Sequence, residues 1–212
     1  MKVRSMAVQR LGTVPYAEAL ELQNGLVARR REGEAPDTLL LLEHPHVITR
    51  GTSSHSNNIL VEDADRALLG IELFDTGRGG DVTYHGPGQL VGYPILDLKP
   101  DRCDLHRYIR DIEQALIHAL AAFNVIGTRK EGLTGVWVDE EKIAAIGVRV
   151  SSGWITSHGF ALNVATDLGF FDAIIPCGIR DHGVTSLAKL GVGADMASVM
   201  DAVERSFGEV FA

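Results

Sequence analysis

The chain has 212 residues, 45% of them hydrophobic and 23% charged, with a net charge of −8 at neutral pH. That composition fits one ordinary globular domain spanning residues 1–212, with enough apolar material for its own core. The excess of acid argues against broad binding to nucleic acid or to an anionic membrane. The two cysteines, Cys103 and Cys177, make neither an even disulfide framework nor a CxxC pair, which points to a reducing compartment.

Val3 to Leu11 reads as a first strand rather than a leader, with no secretory apolar core or cleavage site. No stretch approaches the roughly 20 apolar residues that span a bilayer. A cytoplasmic protein is the expectation. Thr13 and Pro15 open a helix that runs to about Arg30, with Ala19, Leu22, Leu26 and Val27 near one face. Thr38 to Leu42 and His46 to Thr49 read as strands, and Glu62 to Leu69 as a short helix. Ile71 to Thr76 is a strand leading into a glycine-rich run, and Gln89 to Leu98 a strand leading out of it. Asp104 reads as the N-cap of the clearest helix, where Leu105, Tyr108, Ile109, Ile112, Leu116, Ala119, Leu120 and Phe123 form one apolar stripe. Val136 to Val138, Ile143 to Val150 and Trp154 to Val164 follow as strands, separated by turns at Glu140-Glu141 and Ser151-Ser152-Gly153. A last helix covers about Ala194 to Phe211. Regular βαβ alternation is absent, so the fold class is α/β or α+β, with a mixed, mostly antiparallel sheet and flanking helices.

The most informative segment is Arg78 to Tyr93, where five glycines accompany an Arg and a His. So many glycines suit a backbone that turns sharply or lies against a ligand. Arg78-Gly79-Gly80 would serve as an anion cradle, but no nucleotide motif opens a helix there. Cys177 sits in Ile175-Pro176-Cys177-Gly178-Ile179. Its residues fit a small buried hydrophobe or a nucleophile in a tight turn, where the Gly178 and Ile179 N–H groups would face a developing oxyanion. Lys142 fits a solvated hairpin residue or, if desolvated, a base. His85 and His158 each precede a glycine and fit a structural or a carbonyl-holding role. His44, His46 and His55 match no zinc spacing, and no metal is expected.

These pieces together resemble the lipoate-protein ligase B family, the octanoyl-[acyl-carrier-protein]:protein octanoyltransferases. The likeness runs through Glu43-His44-Pro45, Arg78 to Tyr93, Gly135-Val136-Trp137 and Lys142 to Gly147. It continues through Ser157 to Asn163 and Pro176-Cys177-Gly178-Ile179. The resemblance implies the fold shared with biotin and lipoate protein ligases. It implies a catalytic Cys177–Lys142 dyad. It implies a substrate site lined by Arg78, Gly79, Gly80, Asp81, Val82, Thr83, Tyr84 and His85, by Ala145, Ile146 and Gly147, and by His158, Gly159 and Phe160. No cofactor is implied, because a thioester donor is already activated. The implied donor is octanoyl-acyl carrier protein. The implied acceptors are lipoyl domains of 2-oxoacid dehydrogenase complexes and the glycine cleavage H protein. The chain departs from the family at His46-Val47-Ile48, where relatives carry a second Pro and an aromatic, and in the polar loop Ser53 to Asn58 that follows.

Other readings differ in what they require. An ATP-dependent ligase of the same fold needs no nucleophilic cysteine. A non-catalytic acyl-binding module would form no covalent adduct. A cysteine hydrolase using His158 or His85 would release octanoate. An acidic chain that docks acidic carriers needs a local basic patch; Arg102, Arg107, Arg110, Lys130, Arg149 and Arg180 are the candidates, against scattered solubilising charge.

Overall fold

The computed structural model describes residues 6–176 and 182–211. The elements in chain order are β1 (Met6–Thr13), α1 (Tyr16–Arg31), β2 (Asp37–Glu43), β3 (Val47–Arg50), α2 (Asp63–Leu68), β4 (Glu72–Asp75), β5 (Val82–His85) and β6 (Gln89–Ile95). There follow α3 (Leu105–Ala121), β7 (Thr128–Lys130), β8 (Leu133–Val138), β9 (Glu141–Val150), β10 (Thr156–Asn163) and α4 (Met196–Phe211). A seven-stranded sheet has the order β1-β2-β6-β10-β9-β8-β7, and a three-stranded sheet has the order β4-β3-β5. Among the described residues, only the strand pairs β1–β2 and β3–β4 are parallel, so the mixed, mostly antiparallel architecture read from the sequence is the one observed. The separate small sheet was not anticipated. Trp154 also differs, since its positive φ of 62° places it in the turn before β10.

The central strand β2 explains the layering. Its run Leu39-Leu40-Leu41-Leu42 is fully buried because the large sheet is covered on both faces. Leu39 and Leu41 pack with α3 and α4, through Tyr108, Ile112, Leu116, Val203 and Phe207. Leu40 and Leu42 point the other way and pack with α1, Tyr93 and Ala161. The small sheet has its own core of Ile48, Ile71, Val82, Tyr84, Phe171 and Ile174. Asp104 caps α3 as expected, its side chain accepting the Arg107 N–H at 3.0 Å.

The buried residues of α1 are Tyr16, Ala19, Gln23 and Leu26: Ala19 and Leu26 lie on the expected face, whereas Leu22 is exposed and Gln23 is buried instead. The correction has a physical cause: Gln23 is polar but has a buried partner, described below. Among the described residues, no helix is long and apolar enough to cross a membrane.

Candidate active site

A cavity opens between the α1 face of the large sheet and the small sheet. It is lined by Tyr16, Arg78, Gly80, Asp81, Thr83, His85, Tyr93, Ala145, Ile146, Gly147, His158, Gly159, Phe160 and Ala161. The enclosed volume is about 50 Å³, and the cavity opens onto solvent. Arg78, Gly80, Asp81, Thr83, His85, Ala145, Ile146, Gly147, His158, Gly159 and Phe160 were singled out in the sequence. Tyr16, Tyr93 and Ala161 were not. Tyr93 and Ala161 carry the strand alternation that marks the α1 face, and Tyr16 opens the helix that roofs it.

Four of the expected lining residues are placed differently. On β5, successive side chains alternate. Thr83 and His85 face the cavity, whereas Val82 and Tyr84 enter the core of the small sheet. Gly79 acts as a stitch, its N–H donating to the Val148 carbonyl at 2.9 Å. Phe160 touches the cavity, yet its ring lies on the α3–α4 face, stacked on Phe207 at 5.3 Å.

The cavity rim is rigidly held. The buried Arg78 guanidinium donates through Nη2 to the Thr49 carbonyl at 2.7 Å and to Thr49 Oγ1 at 2.9 Å. Gly147 is needed for close approach, since a Cβ there would lie 3.0 Å from the Gly79 carbonyl oxygen and 3.2 Å from Arg78 Cδ. The Asp81 carboxylate accepts from the His55 N–H at 3.2 Å and from Asn58 Nδ2 at 2.5 Å, so it fastens the polar 53–58 loop to the cavity wall. Glu43, from the Glu-His-Pro motif, accepts the Gly88 N–H at 2.6 Å and fixes the turn after His85.

Burial disfavours the charged form of the cavity histidines His85 and His158 and of His44 behind them. His44 Nδ1 donates to the Val14 carbonyl at 2.6 Å, so its Nε2 accepts the Tyr93 hydroxyl at 2.8 Å. Burial pulls His44 down to about 4. His158 is pulled to about 4 by burial first, then by the Arg78 and Arg149 charges. His85 falls to about 3, chiefly by burial and then by the nearby His44. His158 also holds a positive φ of 56° inside β10. Its N–H leaves the sheet ladder and donates to Gln23 Oε1 at 2.8 Å. This bond is what buries Gln23. The His158 Nδ1 is buried with no hydrogen-bond partner among the described residues.

A chain of oriented amides leads from His85 toward Lys142. The Thr185 carbonyl can only accept, so Asn163 Nδ2 donates to it at 3.0 Å. Asn163 Oδ1 then accepts from Gln89 Nε2 at 3.0 Å, and Gln89 Oε1 accepts from His85 Nδ1 at 2.7 Å. His85 therefore carries its proton on Nδ1. The Thr185 N–H in turn donates to the Lys142 carbonyl at 3.0 Å.

Lys142 is buried, contrary to a solvated hairpin residue, with Nζ 4.9 Å from the centre of the Trp137 ring. It lines a second, smaller cavity with Gln89, Asn163, Phe171, Pro176 and Val184. Thr83, Ala145 and Ala161 line both cavities, so the two adjoin. Cys177, Gly178 and Ile179, with Arg180, lie outside the described residues. Their flanks are anchored beside Lys142: Ile175 N–H donates to the Asn58 carbonyl at 2.8 Å, and Lys142 N–H donates to the Gly183 carbonyl at 3.0 Å.

The chain belongs to the lipoyl protein ligase A/B catalytic domain family. The family matches residues 15–208. The chain is 53% identical over 209 residues to an octanoyltransferase of Solibacter usitatus, covering 99% of this chain and 94% of that protein. It is 54% identical to an octanoyltransferase of Rubrobacter xylanophilus, covering 97% and 94%. The fold is also that of a bipartite lipoate protein ligase from Thermoplasma acidophilum, solved in a study with its E2 lipoyl domain. The TM-score is 0.73 at 18% identity, over 98% of this chain and 84% of that one. The biotin protein ligase of Aquifex aeolicus superposes with a TM-score of 0.59 at 18% identity, over 96% and 69%.

The expected basic patch is largely neutralised by its neighbours. Arg102 pairs with Asp111 at 3.0 Å, Arg110 with Glu113 at 2.7 Å, and Lys130 with Glu140. Arg107 is exposed, 4.0 Å from the same Asp111. Arg149 lies beside Gly77. Among the described residues no cluster of His, Cys, Asp and Glu is arranged to hold a metal ion.

Proposed function

We propose that this chain is an octanoyltransferase that moves an octanoyl group from the thioester of an acyl carrier protein to a lysine of a lipoyl domain. One observation carries the reading. A buried lysine, Lys142, lines a cavity that adjoins the one lined by Arg78, His85 and His158, and Pro176, the residue before Cys177, lines it too. The relatives about half identical over nearly the whole chain carry the octanoyltransferase name. The ATP-using ligases share the fold at under 20% identity, so the reading follows the sequence relatives.

In this mechanism the Cys177 thiol gives its proton to Lys142, and the thiolate attacks the octanoyl carbonyl. The C–S bond to the carrier breaks, and Lys142 returns the proton to the leaving carrier thiolate. The acceptor lysine amine then attacks the Cys177 thioester. Its proton passes through Lys142 as the Cys177 sulfur leaves. A free thiol near pKa 8.5 is mostly protonated at neutral pH, so the adjacent amine supplies the activation. The alkyl tail lies in the larger cavity between Ala145, Gly147 and Ala161, where each buried CH₂ contributes about 0.8 kcal/mol.

The test is octanoyl transfer from octanoyl-acyl carrier protein to a purified lipoyl domain in the absence of ATP and Mg²⁺. Transfer that is lost in Lys142→Ala supports the reading. Transfer that requires ATP, or octanoate released to water, contradicts it.

A further inference from the structure

The direction in which Lys142 points does not follow from ordinary strand alternation. On β9, Ala144 faces the α3–α4 core and Ala145 faces the cavity. Regular alternation would send Lys142, three residues before Ala145, into that core. The register explains why it does not. Val136 pairs with Ala144 and the adjacent Trp137 with Lys142, which leaves Ile143 as an extra residue. Ile143 and Ala144 both enter the core, and Lys142 is turned to the cavity. A β-bulge that re-aims a side chain beside a site is a known device.

The facing strand β8 is shaped to accept this. Gly135 has φ +126°, and a Cβ there would lie 2.6 Å from the Ala144 carbonyl oxygen and 3.4 Å from both Cδ and Cε of Lys142. The lysine stem thus runs past a position that only glycine can fill. The Gly135 N–H donates to Glu113 Oε1 at 3.0 Å. Glu113 is a fully buried carboxylate on α3, the helix on the other face of the sheet. Its Oε2 accepts from Arg110 Nη1 at 2.7 Å and from Arg129 Nε at 3.0 Å. Arg129 is itself fixed by bonds to the Arg110 carbonyl at 3.0 Å and to Gln114 Oε1 at 2.8 Å. A buried carboxylate is costly unless charge-paired. Here the pairing leaves one oxygen fixed in place for a single backbone N–H.

We propose that Glu113 is a positioning residue for Lys142: by holding the Gly135 N–H it fixes the stretch of β8 against which the Lys142 stem packs, and so keeps the Lys142 Nζ on the cavity face. This rests on the reading of Lys142 as the partner of Cys177.

The test is the pH dependence of Cys177 alkylation by iodoacetamide, in a Cys103→Ser background because Cys103 is exposed. Lys142→Ala should raise the midpoint toward that of a free thiol, about 8.5. Glu113→Ala should raise it in the same direction, by at least half as much. In the acyl-transfer assay it should lower kcat at least tenfold with the KM for the acyl donor little changed. Adding Glu113→Ala to Lys142→Ala should move the midpoint no further. Arg129→Gln removes one charge partner but leaves the Gly135 bond, so it should lose stability and keep the wild-type midpoint. Glu113→Asp serves where the alanine variant does not fold. Shortening the side chain by one CH₂ draws the carboxylate away from the Gly135 N–H, so the same upward shift is expected.

A wild-type midpoint in folded Glu113→Ala or Glu113→Asp overturns the proposal while leaving the dyad intact. So does a Glu113 effect that persists in full without Lys142. An unmoved midpoint in Lys142→Ala removes the dyad reading itself, and the proposal with it.

Discussion

Lowering the pH from 7 to 5 should destabilise this protein by several kcal/mol, with three buried imidazoles as the cause. His44, His85 and His158 are held near 4, 3 and 4 against an ordinary value of 6.5. The folded pKa values are depressed, so between about pH 6.5 and 4 the unfolded chain binds more protons than the folded one. Stability from these groups is complete above pH 6.5 and is lost as the pH falls through that window. At 1.36 kcal/mol per pH unit, each imidazole costs about 2 kcal/mol by pH 5, or about 6 kcal/mol together. That is a large share of a typical total of about 5–15 kcal/mol. Urea unfolding at pH 7, 6 and 5 measures it. With a slope of about 2–3 kcal/mol/M, the midpoint should fall by roughly 2–3 M. Imidazole NMR titration of the folded protein should show no protonation of these rings above pH 5. A flat midpoint across this range, or rings titrating near 6.5, would refute the neutral-pocket reasoning.

Three substitutions separate support of the site from lining of it. Gln23→Leu leaves the buried His158 N–H without a partner and should cost about 1–3 kcal/mol in denaturant titration. Gly92→Ala would put a Cβ 2.1 Å from the Phe160 ring on the face away from the cavity. It should lower stability by about 1–3 kcal/mol and leave the KM for the acyl donor nearly unchanged. Gly147→Val drives a side chain into the Gly79 carbonyl and the Arg78 stem. It should lower kcat/KM by roughly tenfold or more, a loss of ~1.4 kcal/mol or more in transition-state binding, while the melting temperature changes far less than that of Gly92→Ala.

The layers of the fold were legible because their signals are local. The leucine run of β2, the capped stripe of α3 and the hairpin turns each declare themselves within a few residues. The small sheet was not legible as a unit, since β3, β4 and β5 are four-residue strands whose pairing is decided by distant contacts. Most of the residues that line the cavity, though not Tyr16, Tyr93 or Ala161, were named through resemblance. What that missed followed from periodicity: Val82 and Tyr84 alternate out of the site that Thr83 and His85 enter. Gln23 looked like the polar side of a helix because its partner, the His158 N–H, exists only where β10 leaves the ladder. The aim of Lys142 was the least visible feature. It depends on one extra residue at Ile143, on a glycine at Gly135, and on a carboxylate at Glu113 that sits among the apolar residues of a helix stripe.

The most direct measurement is intact-protein mass spectrometry after mixing the enzyme with octanoyl-acyl carrier protein, without ATP. The account predicts a single octanoyl adduct on the wild type, absent in Cys177→Ser and discharged when a lipoyl domain is added. A lipoyl domain that becomes octanoylated at full rate by Cys177→Ser, with no adduct ever trapped on the wild type, would contradict it.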